Sequence, residues 1–315
     1  MLRIIDARTG ESVAAAPARR GLTRVQVHAP GHGPDALRVL LVADLLVRAL
    51  ELGGTPVLAL LTGGGDQREL RTAGTALGIR PFEEGRDPAA GTGAAARALH
   101  VVAEDGETPD GVRIAVAPVR PAPADVLPPD LLGPSGDGLS GDGPSREEPS
   151  AVGPPGDGLS GVGPSRDEPP SVGPPGHEPS AVGPPGHEPP SVGPSGSARP
   201  GTDPAAVRLA LLSHHHRRPA PLDADALRAA HDTLARWRRA VADWARQPSR
   251  PVPDEVRGRL RAAWEDDLDV PEVLRVLRSV EQAGTDLPPG ARFETYAYAD
   301  RLLGLDLTRD LGAPA

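Results

Sequence analysis

Cysteine and lysine are both missing from the 315 residues of this chain. Without cysteine there are no disulfides, no thiolate metal ligands, no cysteine nucleophile and no thiol redox chemistry. All 34 basic residues are therefore arginine, which excludes a P-loop lysine on phosphate and a Schiff-base lysine. Enzyme classes that depend on either side chain are ruled out before any motif is considered.

The chain also has few aromatic residues, a negative net charge and no long apolar run. Aromatics make up 2% of the chain and the net charge is −9, so the composition does not indicate a dedicated nucleic-acid binder. No stretch of about 18 apolar residues occurs. Residues 1–10 lack the cationic and then apolar stretches of a secretory leader. We expect a soluble, cytoplasmic protein without a membrane partner.

Residues 1–131 alternate strand-like and helix-like patterns. Asp35 can cap a helix that ends at a pair of glycines. An apolar strand precedes this helix and another follows it, so the three elements form a βαβ unit, which is expected to be right-handed. We predict a truncated Rossmann-like α/β domain over 1–131. The predicted elements are strands at 2–5, 25–28 and 56–61, helices at 36–52 and 67–77, and further apolar stretches at 100–103 and 112–119.

Residues 132–200 are a glycine and proline repeat with a period of ten. The segment contains 17 Pro and 16 Gly, far more than a folded domain carries. Glycine does not recur at every third position, which excludes a collagen helix. We predict a disordered, acidic linker. The repeat is marked by Val152, Val162, Val172, Val182 and Val192.

Residues 201–315 are predicted to be helical, with proline or aspartate at the start of each helix. Proline and glycine punctuate the junctions, as in an antiparallel helical bundle with short loops. The predicted helices are 205–215, one from Asp223 or Asp225 to about 246, then 254–264, 271–282 and a last one from Pro289 to Leu303.

Several stretches resemble the cysteinyl-tRNA synthetases and their relative, the cysteine ligase of mycothiol biosynthesis. The resemblance implies a class I synthetase fold, in which a HUP-type Rossmann-like domain precedes a helical bundle. The matching stretches occur in the family's order. They are LRIIDARTG at 2–10, VQVHAP at 25–30, the helix and strand of 38–57, DPAAVRLALLSHHHR at 203–217 and EDDLDVP at 265–271.

The family's active-site residues do not carry over completely. His28 occupies the position of a family zinc ligand, but the other ligands are missing, so we predict no metal site. The ATP signature corresponds to residues 31–38, where His32, Gly33 and Arg38 form a vestigial nucleotide site and Asp35 would repel phosphate. The family's second, lysine-containing signature is absent. We therefore assign no catalytic residues.

Three other clusters have both a functional and a structural interpretation. His214–His216 with Arg217 suggests metal or phosphate binding, but adjacent helical positions point about 100° apart and cannot converge on one ion. Trp237 and its neighbouring arginines suggest RNA, although its spacing of seven from Trp244 is typical of a core. The acidic residues of 265–269 are expected to cap a helix rather than to bind a cation.

We predict a synthetase-like protein that has lost cysteine activation and acts as a binding or regulatory module, with an unidentified protein partner or as an oligomer. The alternative is an ATP-dependent ligase, of cysteine–tRNA or amine–cysteine type, with a rebuilt active site. A third hypothesis is an RNA-binding remnant with tRNA as partner. ATP is the one cofactor left open, and zinc is not expected.

Overall fold

A computed structural model describes residues 1–16, 22–29, 31–62, 67–85, 98–108, 110–120 and 203–312. The predicted linker at 132–200 lies outside these described residues, so its disorder stays a prediction. The described parts on either side of the repeat belong to one compact unit.

The core of the N-terminal part is a five-stranded parallel sheet in the order β5–β4–β3–β6–β7. This confirms the predicted Rossmann-like α/β pattern. The strands are β1 (Arg3–Ile5), β2 (Ser12–Ala14), β3 (Thr23–His28), β4 (Val57–Thr62), β5 (Glu83–Glu84), β6 (Ala98–Ala103), β7 (Val112–Val116), β8 (Val119–Arg120) and β9 (Ala220–Pro221).

The predicted opening strand at 2–5 is not part of that sheet. It forms an antiparallel hairpin of β1 with β2. The hairpin also reaches the C-terminal part of the chain through a bridge between Arg3 and Asp266. The first strand of the parallel sheet is therefore β3.

The helices confirm the expected helical C-terminal part, with shifts at several ends. They are α1 (Pro34–Leu52), α2 (Arg68–Ala76), α3 (Pro204–Leu212), α4 (Ala224–Trp244), α5 (Asp254–Glu265), α6 (Val270–Gln282) and α7 (Pro289–Leu303), with a short 3-10 helix at Gly284–Asp286.

Side-chain caps explain several helix starts. Asp203, Asp223 and Asp269 accept hydrogen bonds from backbone N–H groups in the first turns of α3, α4 and α6, respectively. The expected cap of α1 is different, because Asp35 accepts instead from the N–H of Val119 at 2.6 Å. Helix α1 begins at Pro34, two residues earlier than the prediction.

Helix α3 ends at Leu212, three residues before the predicted end near His215. The N–H of Ser213 still reaches the carbonyl of Leu209, and the chain then turns. The three consecutive histidines consequently lie in a turn and not on a helix.

The parts of the chain before and after the repeat pack together through buried arginines. Arg208 of α3 has no exposed surface, and its guanidinium donates to the Asp44 carboxylate of α1 at 2.8 Å. It also donates to the carbonyls of Leu77 at 3.1 Å and Leu303 at 2.6 Å. Strands β8 and β9 form a second link as a short parallel pair.

Asp44 is the only acidic residue inside α1 that is buried in this way, and three arginines surround it. Arg48 lies at 2.8 Å and Arg80 at 3.1 Å, in addition to Arg208. Burial by itself raises the pKa of Asp44, but the charges of Arg208 and Arg48 outweigh it and hold the pKa below its ordinary value. The carboxylate is therefore ionised throughout the neutral range.

None of the helices in the described part of the chain is both long enough and apolar enough to cross a membrane.

Replacing Asp44 by Asn is expected to lower the free energy of unfolding by about 3–5 kcal/mol, because Arg208 would then be a buried charge without its counterion. Chemical denaturation followed by circular dichroism measures this loss. Asp243 is exposed on α4, so Asp243→Asn is the matched control and should change stability by less than about 0.5 kcal/mol. Equal stability of the two variants would contradict the role given to Asp44.

Candidate functional site

The direction in which the chain adds strands to the sheet reverses between β3 and β6. From β3 the chain proceeds through β4 to β5 on one side, and β6 and β7 lie on the other. Ligands of open α/β sheets bind at the carboxyl ends of the strands at such a switch point. The last residue of β3, His28, lies at this edge.

Two histidines and a threonine form a hydrogen-bonded chain across three strands, which runs from this edge into the buried part of the sheet. The Nε2 atom of His28 is 3.0 Å from Nδ1 of His100, and Nδ1 of His28 is 2.9 Å from the Thr62 hydroxyl. Nε2 of His100 is 3.4 Å from the Asp110 carbonyl. Gln26 of β3 pairs with His100 of β6, so their side chains lie on the same face of the sheet. Because side chains alternate along a strand, His28, two residues after Gln26, is on that face as well.

The hydrogen-bond network assigns the tautomers of both rings. Because the Asp110 carbonyl can only accept, His100 carries its proton on Nε2 and its Nδ1 accepts from Nε2–H of His28. Nδ1 of His28 then accepts from the Thr62 hydroxyl, which shares its single proton between this nitrogen at 2.9 Å and the Val27 carbonyl at 3.0 Å. In this arrangement both imidazoles are neutral and every ring nitrogen has a partner.

The electrostatics agree with two neutral rings. Burial lowers the pKa of His28, and the neighbouring His100 lowers it further. Burial also lowers the pKa of His100, against a small opposing effect of the Asp110 carbonyl. Since the two rings are in direct contact, protonating both would place like charges together.

Both ring nitrogens of His28, which the sequence resemblance matches to a zinc ligand of the family, already have hydrogen-bond partners. A metal ion at this position would have to displace Thr62 or His100. The prediction that His28 holds no metal stays a prediction.

The three residues predicted to form a nucleotide site have different surroundings. His32 is exposed in the loop between β3 and α1, and Gly33 is half-buried at the start of the helix. Arg38 is 1% exposed. Its guanidinium donates to the carbonyls of Ala117, Pro118, His215 and Arg218 at 2.6–3.1 Å.

The Arg38 guanidinium is thus used for structural hydrogen bonds, since its two terminal nitrogens donate to four carbonyl oxygens of the loops around β8 and β9. Burial lowers its pKa to about 10, which still leaves it charged at neutral pH. Nucleotide binding by His32, Gly33 and Arg38 stays a prediction, with Arg38 in a supporting position.

The basic and aromatic helix α4 is mainly structural. Trp237 is fully buried, and its indole N–H donates to Glu281 at 3.0 Å. This confirms the core interpretation of its spacing. Arg238, one of the neighbouring arginines, is buried and so is not available to RNA. It donates to Asp203 at 2.7 Å and to the Leu305 carbonyl at 3.0 Å.

A second candidate site, which the sequence analysis does not predict, lies between the β1–β2 hairpin and the loops that follow α3 and α5. It is a cavity of about 700 Å³ whose wall includes His215, Arg217, Arg218 and Asp267. A volume of this size suits a small ligand. The side chains that line it are mostly polar or charged.

Asp267 has an unusual environment in this second site. Its Oδ1 atom accepts from the N–H of Ile5 at 2.9 Å. Its Oδ2 atom is buried and has no hydrogen-bond partner among the described residues. Burial raises the pKa of Asp267 to about 6, partly offset by the Ile5 hydrogen bond.

Two histidines lie beside that carboxylate oxygen. The Nε2 atoms of His215 and His216 are each 3.8 Å from Oδ2 of Asp267. Their ring centroids are 4.3 Å apart. Burial lowers the pKa of both histidines, most strongly for His216. The prediction that adjacent histidines diverge assumed a helix, and the turn after Leu212 brings these two together.

The neighbouring acidic residues partly follow the capping prediction. Asp269 caps α6 by accepting from the N–H of Glu272 at 3.0 Å, and Glu265 pairs with the N-terminal amine. Asp267 differs, because the backbone there is left-handed, with φ of +50°. This conformation turns its carboxylate toward the histidines and away from the helix.

A parallel sheet of this order, with polar side chains at its switch point and a helical part packed against it, defines the Rossmann-like α/β class. No family model matches the chain. Curated relatives do match it, over 114 residues in one case.

These relatives are named L-cysteine:1D-myo-inositol 2-amino-2-deoxy-alpha-D-glucopyranoside ligases. The protein of Streptosporangium roseum is 42% identical over 35% of this chain and 26% of its own length. That of Parafrankia sp. is 42% identical over 34% and 25%, and that of Rhodococcus jostii is 38% identical over 35% and 26%. The match spans about a quarter of each relative. Over about a third of its length the chain is therefore similar to cysteine ligases of this kind, in agreement with the resemblance found in its sequence.

The histidine pair at the sheet edge predicts a pH-dependent stability. In the unfolded chain both imidazoles have a pKa near 6.5, whereas the folded pair has lower values. The unfolded state therefore binds more protons, and stability falls as pH drops through about 6.5. Between pH 8 and pH 5, the free energy of unfolding measured by chemical denaturation should fall less in the double variant His28→Gln, His100→Gln than in the wild type. The control His231→Gln, on exposed α4 surface, should keep the wild-type fall.

Proposed function

We propose that this chain is a nucleotide-binding protein of the cysteine ligase family that does not form cysteinyl adenylate. The proposal rests above all on His28. In place of a thiolate that would hold the family's zinc, the chain has an imidazole whose two nitrogens bind Thr62 and His100. With no cysteine in the chain, a zinc site that reads the substrate thiol has lost its usual ligands.

The second reason concerns charge at the transition state. Adenylate formation develops negative charge on pyrophosphate, and the family's lysine signature meets that charge. This chain has no lysine, and Arg38 is bound to backbone carbonyls. Removing one transition-state donor typically lowers the rate by about 10²–10³, so the loss of several together is severe.

The case for nucleotide binding rests on the start of α1. The helix begins directly after β3 and a loop with two glycines, at the switch point of the sheet. A helix N-terminus in this place favours phosphate because of its free N–H groups and its dipole. Gly33 provides no side chain to compete for these groups.

The alternative is an ATP-dependent amine–cysteine ligase with a rebuilt active site. It is favoured by the names of the relatives, which are all ligases at about 40% identity. In that case His28 and His100 would replace the missing groups, as a neutral pair able to exchange a proton with a bound amine.

Pyrophosphate exchange into ATP separates the two functions. The purified chain, with cysteine, zinc and magnesium, is expected to give no exchange above a blank without protein. A relative's ligase is the positive control, and circular dichroism confirms that the chain is folded. Cysteine-dependent exchange that is lost in His28→Ala would overturn the first proposal and establish the ligase.

Calorimetry with ATP tests nucleotide binding itself. Asp35 is exposed in the first turn of α1 and places a negative charge next to the phosphate site. Asp35→Asn should raise ATP affinity about two- to fivefold, since a charge near a helix N-terminus contributes about 0.3–1 kcal/mol. His32→Ala should lower the affinity. The control is Asp225→Asn, in the first turn of α4, which should leave ATP affinity unchanged. The proposal is contradicted if Asp35→Asn does not change ATP affinity, or if the chain binds no ATP at millimolar concentration.

A further inference from the structure

The cavity beside α3 brings together donor atoms that suit a metal ion. One ring nitrogen from each of His215 and His216 and one carboxylate oxygen of Asp267 lie within 4.8 Å of one another. Metal–ligand bonds of about 2.0–2.1 Å place tetrahedral ligands roughly 3.3 Å apart. The two histidine–carboxylate distances are 3.8 Å and the two ring nitrogens lie within 4.8 Å of each other, so the three donor atoms must approach by about 0.5–1.5 Å to close the site.

One carboxylate oxygen of Asp267 is buried without a hydrogen-bond donor among the described residues. The Asp267 side chain is 6% exposed, and the oxygen is Oδ2. A buried carboxylate oxygen without a partner is costly, typically by more than a neutral group. Oδ1 is held by Ile5, which fixes the direction of Oδ2 toward the two imidazoles.

We propose that His215, His216 and Asp267 bind one divalent transition-metal cation, zinc being the natural choice, with its fourth position open to the cavity. Two imidazoles and a carboxylate favour zinc, cobalt or nickel over magnesium and calcium, which take oxygen ligands. Three protein ligands with an open position are typical of sites that accept water or a small ligand. This site differs from His28 at the sheet edge and does not rest on the proposed function.

The surrounding charges set limits on the affinity. Arg217, Arg218 and Arg275 line the cavity with Asp266 and Asp269. Arg217 is the closest cation, at 3.8 Å from Oδ2, but its side chain is 47% exposed and free to turn into solvent. Nδ1 of His216 has no acceptor in the described part of the chain, so the hydrogen bond that usually orients a metal-bound imidazole is missing. Nδ1 of His215 accepts from the N–H of Arg217 at 3.3 Å, and this contact must break for Nε2 to bind a metal ion. We expect micromolar affinity.

The sequence predicts no metal site at these histidines, because neighbouring positions on a helix point in different directions. In the structure α3 ends at Leu212 and the histidines lie in a turn, where the rings of His215 and His216 are 4.3 Å apart.

Zinc calorimetry and cobalt absorption spectroscopy on the full chain test the site. Other histidines in the chain could bind metal, so the measurement is the number of equivalents and their affinities in wild type and variants. His215→Ala and Asp267→Asn should each lose one equivalent or weaken it at least tenfold. His215 is partly exposed and Asn keeps the Ile5 hydrogen bond, so both variants are expected to fold.

The matched controls are His231→Ala and Asp243→Asn, which change the same residue types at exposed positions of α4. They should retain all equivalents. The visible absorption of bound cobalt should be intense, as in four-coordinate sites, and should disappear in the two site variants. Binding that is unchanged in His215→Ala and Asp267→Asn, or that is lost instead in His28→Ala, would overturn the proposal.

Discussion

The ionised carboxylate of Asp44 is the interaction on which the rest of the fold depends. It lies inside α1, which packs against the parallel sheet, and it neutralises Arg208 of α3 from beyond the repeat. Arg208 in turn binds the end of α7 through the Leu303 carbonyl. One buried ion pair thereby connects the sheet and its covering helix with α3, 164 residues after Asp44, and through Arg208 with α7, 95 residues further along the chain.

Arginine makes this architecture feasible in a chain without lysine. A guanidinium has five donors in a rigid plane, so a single side chain can satisfy several carbonyls at once. Arg38 does so for four carbonyls of the loops near β8 and β9, and Arg208 for two carbonyls and Asp44. Side chains that could have served a nucleotide site are thus used to join the two parts of the chain.

The two candidate sites differ in how well their polar groups are satisfied. At the sheet edge, each nitrogen of His28 and His100 has a partner, which describes a stable, neutral pair. In the cavity, Oδ2 of Asp267 and Nδ1 of His216 have none among the described residues. A fully satisfied network gives rigidity, whereas unsatisfied buried groups are the places where a further ligand gains the most free energy.

The sequence by itself determined the parallel α/β pattern, the helical C-terminal part and the resemblance to the cysteine ligases. Each of these follows from local signals: apolar runs with the strand or helix period, aspartate and proline at helix starts, and collinear motifs. Even so, Asp35 and the end of α3 departed from the local rule, because Val119 and the turn at residues 213–218 offered better hydrogen-bond partners. Only the tertiary structure decided that His28 meets His100, that Arg38 is buried, and that Asp267 faces two histidines. These contacts join residues 50 to 180 positions apart, and no period or spacing in the sequence encodes which distant groups a fold will bring within hydrogen-bond range.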